Sequence, residues 1–184
     1  MYWIDTMRFS SVTLALAMGI GVALFGTIEG TNAQTRLQKT FDQWLVECVE
    51  TDKKVCGLYF KLVNPKNKRV VLSWAVVPRQ EVSDGNRAVV RTPNGVVLAD
   101  GVSVKLGKAE AIKITYKTCG PVNCIGELDF SDVWLKAFRS NQLFSLTYTA
   151  NNGKKFTQEV SLKGFADGFT YYVEQMSAGN NPDR

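Results

Sequence analysis

Four cysteines, three clustered carboxylates and one basic loop are the residues of this 184-residue chain whose types and spacing could do chemistry. Cys48 and Cys56 form one close pair, and Cys119 and Cys124 form another around a Gly-Pro turn. Four thiolates can hold zinc, but zinc knuckles space their ligands by about two residues, closer than either pair here. Redox catalysis would want Cys-x-x-Cys beside a βαβ unit, and the sequence has neither. Two close pairs behind the export signal described below, in an oxidising compartment, favour disulfides. Pairing Cys48 with Cys56 and Cys119 with Cys124 closes the two shortest loops and suits a hairpin between the first two.

Glu127 and Asp129 share one strand face by the period of two, and Asp132 follows at a helix start. A carboxylate pair can cleave glycosides when its environment separates the two acidities, so a periplasmic hydrolase built on Glu127, Asp129 or Asp132 is the alternative reading. A solvated strand edge, with an acidic first helical turn, accounts for the same residues more simply. The chain contains no histidine, which removes the commonest general base and the commonest metal ligand. No Ser-x-x-Lys or Gly-x-Ser-x-Gly is present to make a nucleophile. Neither catalytic residues nor a metal or other cofactor are expected. The basic cluster Lys66, Lys68 and Arg69, with Lys53 and Lys54 in a neighbouring turn, is the expected anion-binding patch.

The elements that must position these residues begin with an export signal. Arg8 precedes an apolar run from Val12 to Phe25, and Thr31-Asn32-Ala33 supplies a small-residue cleavage site. The run falls short of the roughly 20 residues of a spanning helix, so no integral membrane span is expected after cleavage. The expected organisation is a signal peptide over 1–33 and a single domain over 34–184. A formal net charge of +5 suits an anionic partner in the envelope or on a host surface. Export argues against nucleic acid. The expected location is periplasmic or associated with the outer envelope.

Along the domain, Thr35 to Lys39 reads as a loose polar lead-in. Alternation from Phe41 puts Trp44, Val46 and Cys48 on one strand face, and Val55 to Val63 continues as the second arm of a hairpin. Strands are expected at Val70–Val77, Ala88–Arg91, Val96–Leu98, Val102–Leu106, Glu110–Tyr116 and Ile125–Phe130. Ser131 suits the N-cap of a helix through Phe138, with Val133, Trp134, Ala137 and Phe138 on one face. Leu143–Thr149 and Phe156–Leu162 form a hairpin whose Asn152-Gly153 signals a primed turn. Phe165 to Met176 reads as an amphipathic helix. Roughly nine short strands with one or two short helices indicate a mainly β chain folded as a β-sandwich. Trp44, Trp74 and Trp134 belong to its core.

The ordered motifs Phe41-Asp-Gln-Trp44 followed by Cys48 and Cys56, Leu98-Ala-Asp-Gly101, Cys119-Gly-Pro-Val-Asn-Cys124 and Val160-Ser-Leu-Lys-Gly-Phe165 span nearly all of residues 34–184. Together they resemble the invasion-associated locus B family of exported Gram-negative proteins. Asn123 departs from the glycine many members carry before the last cysteine. The resemblance implies an immunoglobulin-like β-sandwich, an envelope location and an association with host-cell invasion, and it carries no catalytic residues. The function expected is that of a non-enzymatic binding module.

Overall fold

The computed structural model describes residues 35–50, 53–79 and 85–179. The export signal expected over 1–33, with its cleavage site, lies outside the described residues. Seven strands form one antiparallel sheet: β1 (Thr35–Phe41), β2 (Trp44–Glu50), β3 (Lys54–Val63), β4 (Val70–Pro78), β5 (Asn86–Pro93), β8 (Tyr116–Cys119) and β9 (Asn123–Phe130). Their order is β1-β2-β3-β4-β5-β9-β8, so the first five run as an uninterrupted meander. The second sheet is antiparallel too, with order β11-β10-β6-β7, from β6 (Val102–Leu106), β7 (Ile112–Ile114), β10 (Leu143–Thr149) and β11 (Lys155–Ser161). The two sheets make a β-sandwich, and two helices complete it: α1 (Asp132–Ser140) and α2 (Phe165–Gly179).

Strict alternation decides which residues enter the core. Trp44, Val46 and Cys48 of β2, Leu58 and Phe60 of β3, and Leu72, Trp74 and Val76 of β4 are buried in one cluster. Phe144 and Leu146 of β10 and Val102 and Val104 of β6 meet them from the smaller sheet. The smaller sheet covers only part of the larger one, and α2 packs over β1, β2 and β3 to cover more. Its Phe165, Phe169 and Tyr172 are buried. Tyr172 Oη donates to Asn86 Oδ1 at 2.6 Å, and the Cys56 amide donates to Met176 Sδ at 3.3 Å. Both disulfides are cross-strand rungs: Cys48 faces Cys56 directly in the β2–β3 ladder, and Cys119 faces Cys124 in β8–β9.

Several sequence expectations are corrected, each for a local reason. Thr35–Lys39 is not a lead-in but most of β1, paired residue for residue with β2. Its side chains are exposed, so it has no apolar alternation to read. Val96–Leu98 is a single bridge from Val96 to Ala150 followed by a tight turn over Leu98–Asp100. Glu110–Tyr116 divides at Thr115, with β7 joining the small sheet and β8 the large one. The crossing passes over Gly126, where a Cβ would stand 2.8 Å from Ile114 Cγ2 and 3.1 Å from the Thr115 carbonyl. Ser131 sits at the N-cap of α1 in an extended conformation without a side-chain capping bond. Val133 turns to solvent at 75 % exposure, leaving Phe138 as the buried residue of α1 with Trp134 beside it. The β10–β11 connection runs from Ala150 to Lys154, with the Ala150 amide bonded to the Lys154 carbonyl around Asn151, Asn152 and Gly153, and Gly153 at φ 79°. Asn152 keeps negative φ, so the primed turn, which needs positive φ at both central residues, does not form.

Trp44 and Trp74 are both fully buried, yet they differ in one respect. Trp44 Nε1 donates to the Ser161 carbonyl at 3.0 Å, tying β2 to the end of β11, whereas Trp74 Nε1 has no acceptor. A buried hydrogen bond lost at one end costs about 1–3 kcal/mol, and a donor that was unpaired costs nothing to remove. Trp44→Phe should therefore destabilise the domain by about 1 kcal/mol or more beyond Trp74→Phe, as read in paired denaturant melts. In the chain-entropy model each disulfide closes a short loop worth about 2–3 kcal/mol. Removing either pair by Cys→Ser should lower Tm in thermal melts while leaving the native circular dichroism intact at room temperature.

Candidate functional site

The residues alternate with the core set point away from it, onto the outer face of the large sheet. Directly paired outward positions line up across the strands: Lys61, Ser73, Arg91 and Ile125 make one row, and Tyr59, Ala75, Val89 and Glu127 another. Part of this face is a groove of about 1000 Å³. Val49, Val55 and Glu47 border it on the β2–β3 side, and Asn67 and Arg69 of the β3–β4 loop line it with Val70 at the start of β4. Pro121 and Val122 enter from the β8–β9 hairpin tip, while Tyr59, Ser73 and Arg91 belong to its floor.

Each part is held in place by its own local chemistry. Gly57 precedes Tyr59 on the same face, and the tyrosine ring lies over it: a Cβ on Gly57 would stand 2.6 Å from Tyr59 Cζ. Lys61 Nζ covers the ring at 4.8 Å from its centroid, a cation–π contact. Burial raises the Tyr59 phenol above its ordinary acidity range; the Glu47 carboxylate adds to this and Arg91 opposes it. The hydroxyl therefore remains a donor at neutral pH. Asn64 and Asn67 shape the basic loop, Asn64 Oδ1 accepting from the Lys66 amide at 2.9 Å and Asn67 Oδ1 from the Arg69 amide at 3.1 Å. Lys68 adopts φ 57°, a left-handed conformation a lysine seldom takes, and its amide donates to the Asn64 carbonyl at 2.9 Å. The hairpin tip is closed by the Cys119–Cys124 bond and by Asn94 Nδ2, which donates to the Gly120 carbonyl at 2.8 Å.

The charges of the groove are unequal. Lys61, Arg69 and Arg91 line it against one carboxylate, Glu47. Glu47 is already shared between Arg36 Nε at 3.1 Å and Lys61 Nζ at 3.4 Å. Among the described residues Arg69 and Arg91 have no carboxylate partner.

Of the residues singled out from the sequence, Arg69 lines the groove, while Lys66 and Lys68 stay exposed on the same loop outside it. Glu127, Asp129 and Asp132 differ in their partners. Glu127 is held by Arg87 Nη1 at 3.4 Å and Lys117 Nζ at 3.1 Å, Asp129 by Arg79 Nη2 at 3.2 Å, and Asp132 is exposed in the first turn of α1. None of the three lines the groove. Among the described residues no three of His, Cys, Asp and Glu come together as a metal site, and no helix is long and apolar enough to cross a membrane. Arg91, Tyr59 and Ser73 were not found by sequence reading. The available signal was the run of outward valines, Val49, Val55 and Val71, on a face that alternation alone assigns to water. A second depression, of about 270 Å³, lies between β6–β7 and α1 and is apolar, with Leu106, Ile112, Val133 and Trp134 in its lining.

Comparison with known proteins places this arrangement in a family. Two Brucella abortus proteins, from strain 2308 and from biovar 1 strain 9-941, are each named invasion protein B homolog. Each is 27 % identical to this chain over 132 residues, covering 70 % of this chain and 75 % of its own length. The crystal structure of invasion associated protein B from Bartonella henselae superposes with a TM-score of 0.64 at 22 % identity, over 78 % of this chain and 99 % of that one, and so shares the fold. Residues 44–172, which include both disulfides and most of the groove, match the family model described as invasion associated locus B (IalB) protein. The chain belongs to the invasion associated locus B family.

Proposed function

We propose that the chain is an exported, non-enzymatic protein of a Gram-negative envelope that works as a binding module, in the invasion-associated setting for which its relatives are named. Its place is the periplasm or the outer envelope, and its partner is an anionic component of the envelope or of a host surface. The observation that carries this reading is the imbalance of charge around the outer groove: Lys61, Arg69 and Arg91 against a single, already paired Glu47. Lys66 and Lys68 extend the basic surface beyond the groove rim. Supporting it, the chain has no imidazole base, and Glu127 and Asp129 are engaged by arginine and lysine.

Exposed cations attract an anionic surface over a distance that salt shortens to about 10 Å at 0.1 M. Retention on vesicles containing anionic lipid should exceed retention on neutral vesicles and fall across a salt series. Replacing Lys66, Lys68 and Arg69 together with glutamine should leave stability within about 0.5 kcal/mol, since the loop is built from asparagine and backbone bonds that survive. The same replacement should reduce retention several-fold in co-sedimentation at low salt. Equal retention of wild type and triple variant at every salt concentration would discard the reading.

A further inference from the structure

The groove has two chemistries side by side, and a ligand that satisfies both is narrowly defined. Its cationic part is Arg91 and Arg69 with the hydroxyl of Ser73, which is buried at 5 % exposure and is the direct cross-strand partner of Arg91. Its apolar part is larger. Val49, Val55, Val70, Val71, Pro93 and Val122 line it, and Val55, Val70 and Val122 are 54 %, 50 % and 78 % exposed. Valines this exposed, gathered beside unpaired guanidinium groups, form a surface that a bound apolar body would cover with gain. A volume of about 1000 Å³ is at the upper end of what small-ligand sites enclose.

The floor argues against a peptide strand. β2, β3, β4 and β5 are interior strands whose backbone groups are paired on both sides, so the floor of the groove offers no open edge to an added strand. Recognition on that floor runs through side chains. Two guanidinium groups with neighbouring hydroxyl donors suit an anion with several terminal oxygens, and phosphate offers more of these than carboxylate. Resting on the reading that this is a module for anionic envelope components, we propose that the groove binds a single-chain lipid phosphate monoester. Arg91 and Arg69 hold the phosphate, and the valines of β2–β4 with Val122 of the hairpin tip cover the chain. The Cys119–Cys124 bond then has a functional role, since it fixes the tip that presents Val122.

The test is calorimetric titration of the exported protein with dodecyl phosphate below its micelle concentration, against inorganic phosphate and neutral dodecyl maltoside. Dodecyl phosphate should bind at least about tenfold more tightly than either, because only it engages both halves of the groove. Arg91→Gln should weaken that binding about tenfold, the scale of a lost charge-assisted hydrogen bond. Val122→Asp, at an exposed loop tip where folding is not at risk, should weaken it comparably. Dodecyl phosphate binding no better than inorganic phosphate or dodecyl maltoside overturns the proposal. So does undiminished binding by both variants, which would place the ligand elsewhere, as in the apolar depression beside α1. If dodecyl phosphate fails to bind while anionic vesicles still retain the protein, the groove assignment falls and the broader reading stands. If both fail, both fall.

Discussion

Five aromatic side chains close a ring at the centre of the domain, and the remaining structure depends on it. Trp44 of β2 contacts Phe144 of β10, Phe144 contacts Trp74 of β4, Trp74 contacts Phe138 of α1, Phe138 contacts Phe165 of α2, and Phe165 returns to Trp44. Centroid separations of 5.0 to 6.2 Å, stacked, tilted and edge-on, are within the range where aromatic pairs gain beyond simple burial. Both sheets and both helices contribute to the ring. The bond from Trp44 Nε1 to the Ser161 carbonyl adds the one direction-specific tie between the sheets at this point.

Fixing the inner face fixes the outer one, because successive side chains of a strand point to opposite sides. With Trp74 and Leu72 held inward, Ser73 must face out; with Val90 inward, Arg91 must face out beside it. A one-residue slip would exchange the two sets and destroy core and groove together. The disulfides guard against such a slip, since each joins directly opposed residues of an antiparallel pair. The groove is thus a consequence of core packing, with two loops added as walls. One wall is shaped by Asn64 and Asn67, the other by a covalent bond.

Much of the sandwich was legible because its central strands carry one apolar and one mixed face. β2 and β3 show this alternation, β4 was legible as a nearly continuous apolar run, and α2 shows the helical spacing of Phe165, Phe169 and Tyr172. β1 was not legible, since an edge strand exposed on both faces leaves no pattern to find. The division at Thr115 was hidden too: the alternation of Ile112, Ile114 and Tyr116 continues through it although the strand changes sheets. The site was legible only in part. Lys66, Lys68 and Arg69 are adjacent in sequence and announce themselves, whereas Tyr59, Ser73 and Arg91 come together only when three strands pair. Glu127, Asp129 and Asp132 are a tight sequence cluster as well, but Glu127 and Asp129 are held by different cations and Asp132 is exposed on α1.

The proposal that the outer face of the large sheet binds a ligand at Arg91 is tested by a map of backbone amide chemical-shift changes in the nitrogen-15-labelled protein on titration with dodecyl phosphate. The largest saturable changes should cluster at Tyr59, Ser73, Arg91 and Val122, with the inner-face amides of Trp44 and Leu72 little moved. Changes centred instead on Ile112, Val133 and Trp134, or scattered over the surface without saturation, would contradict it.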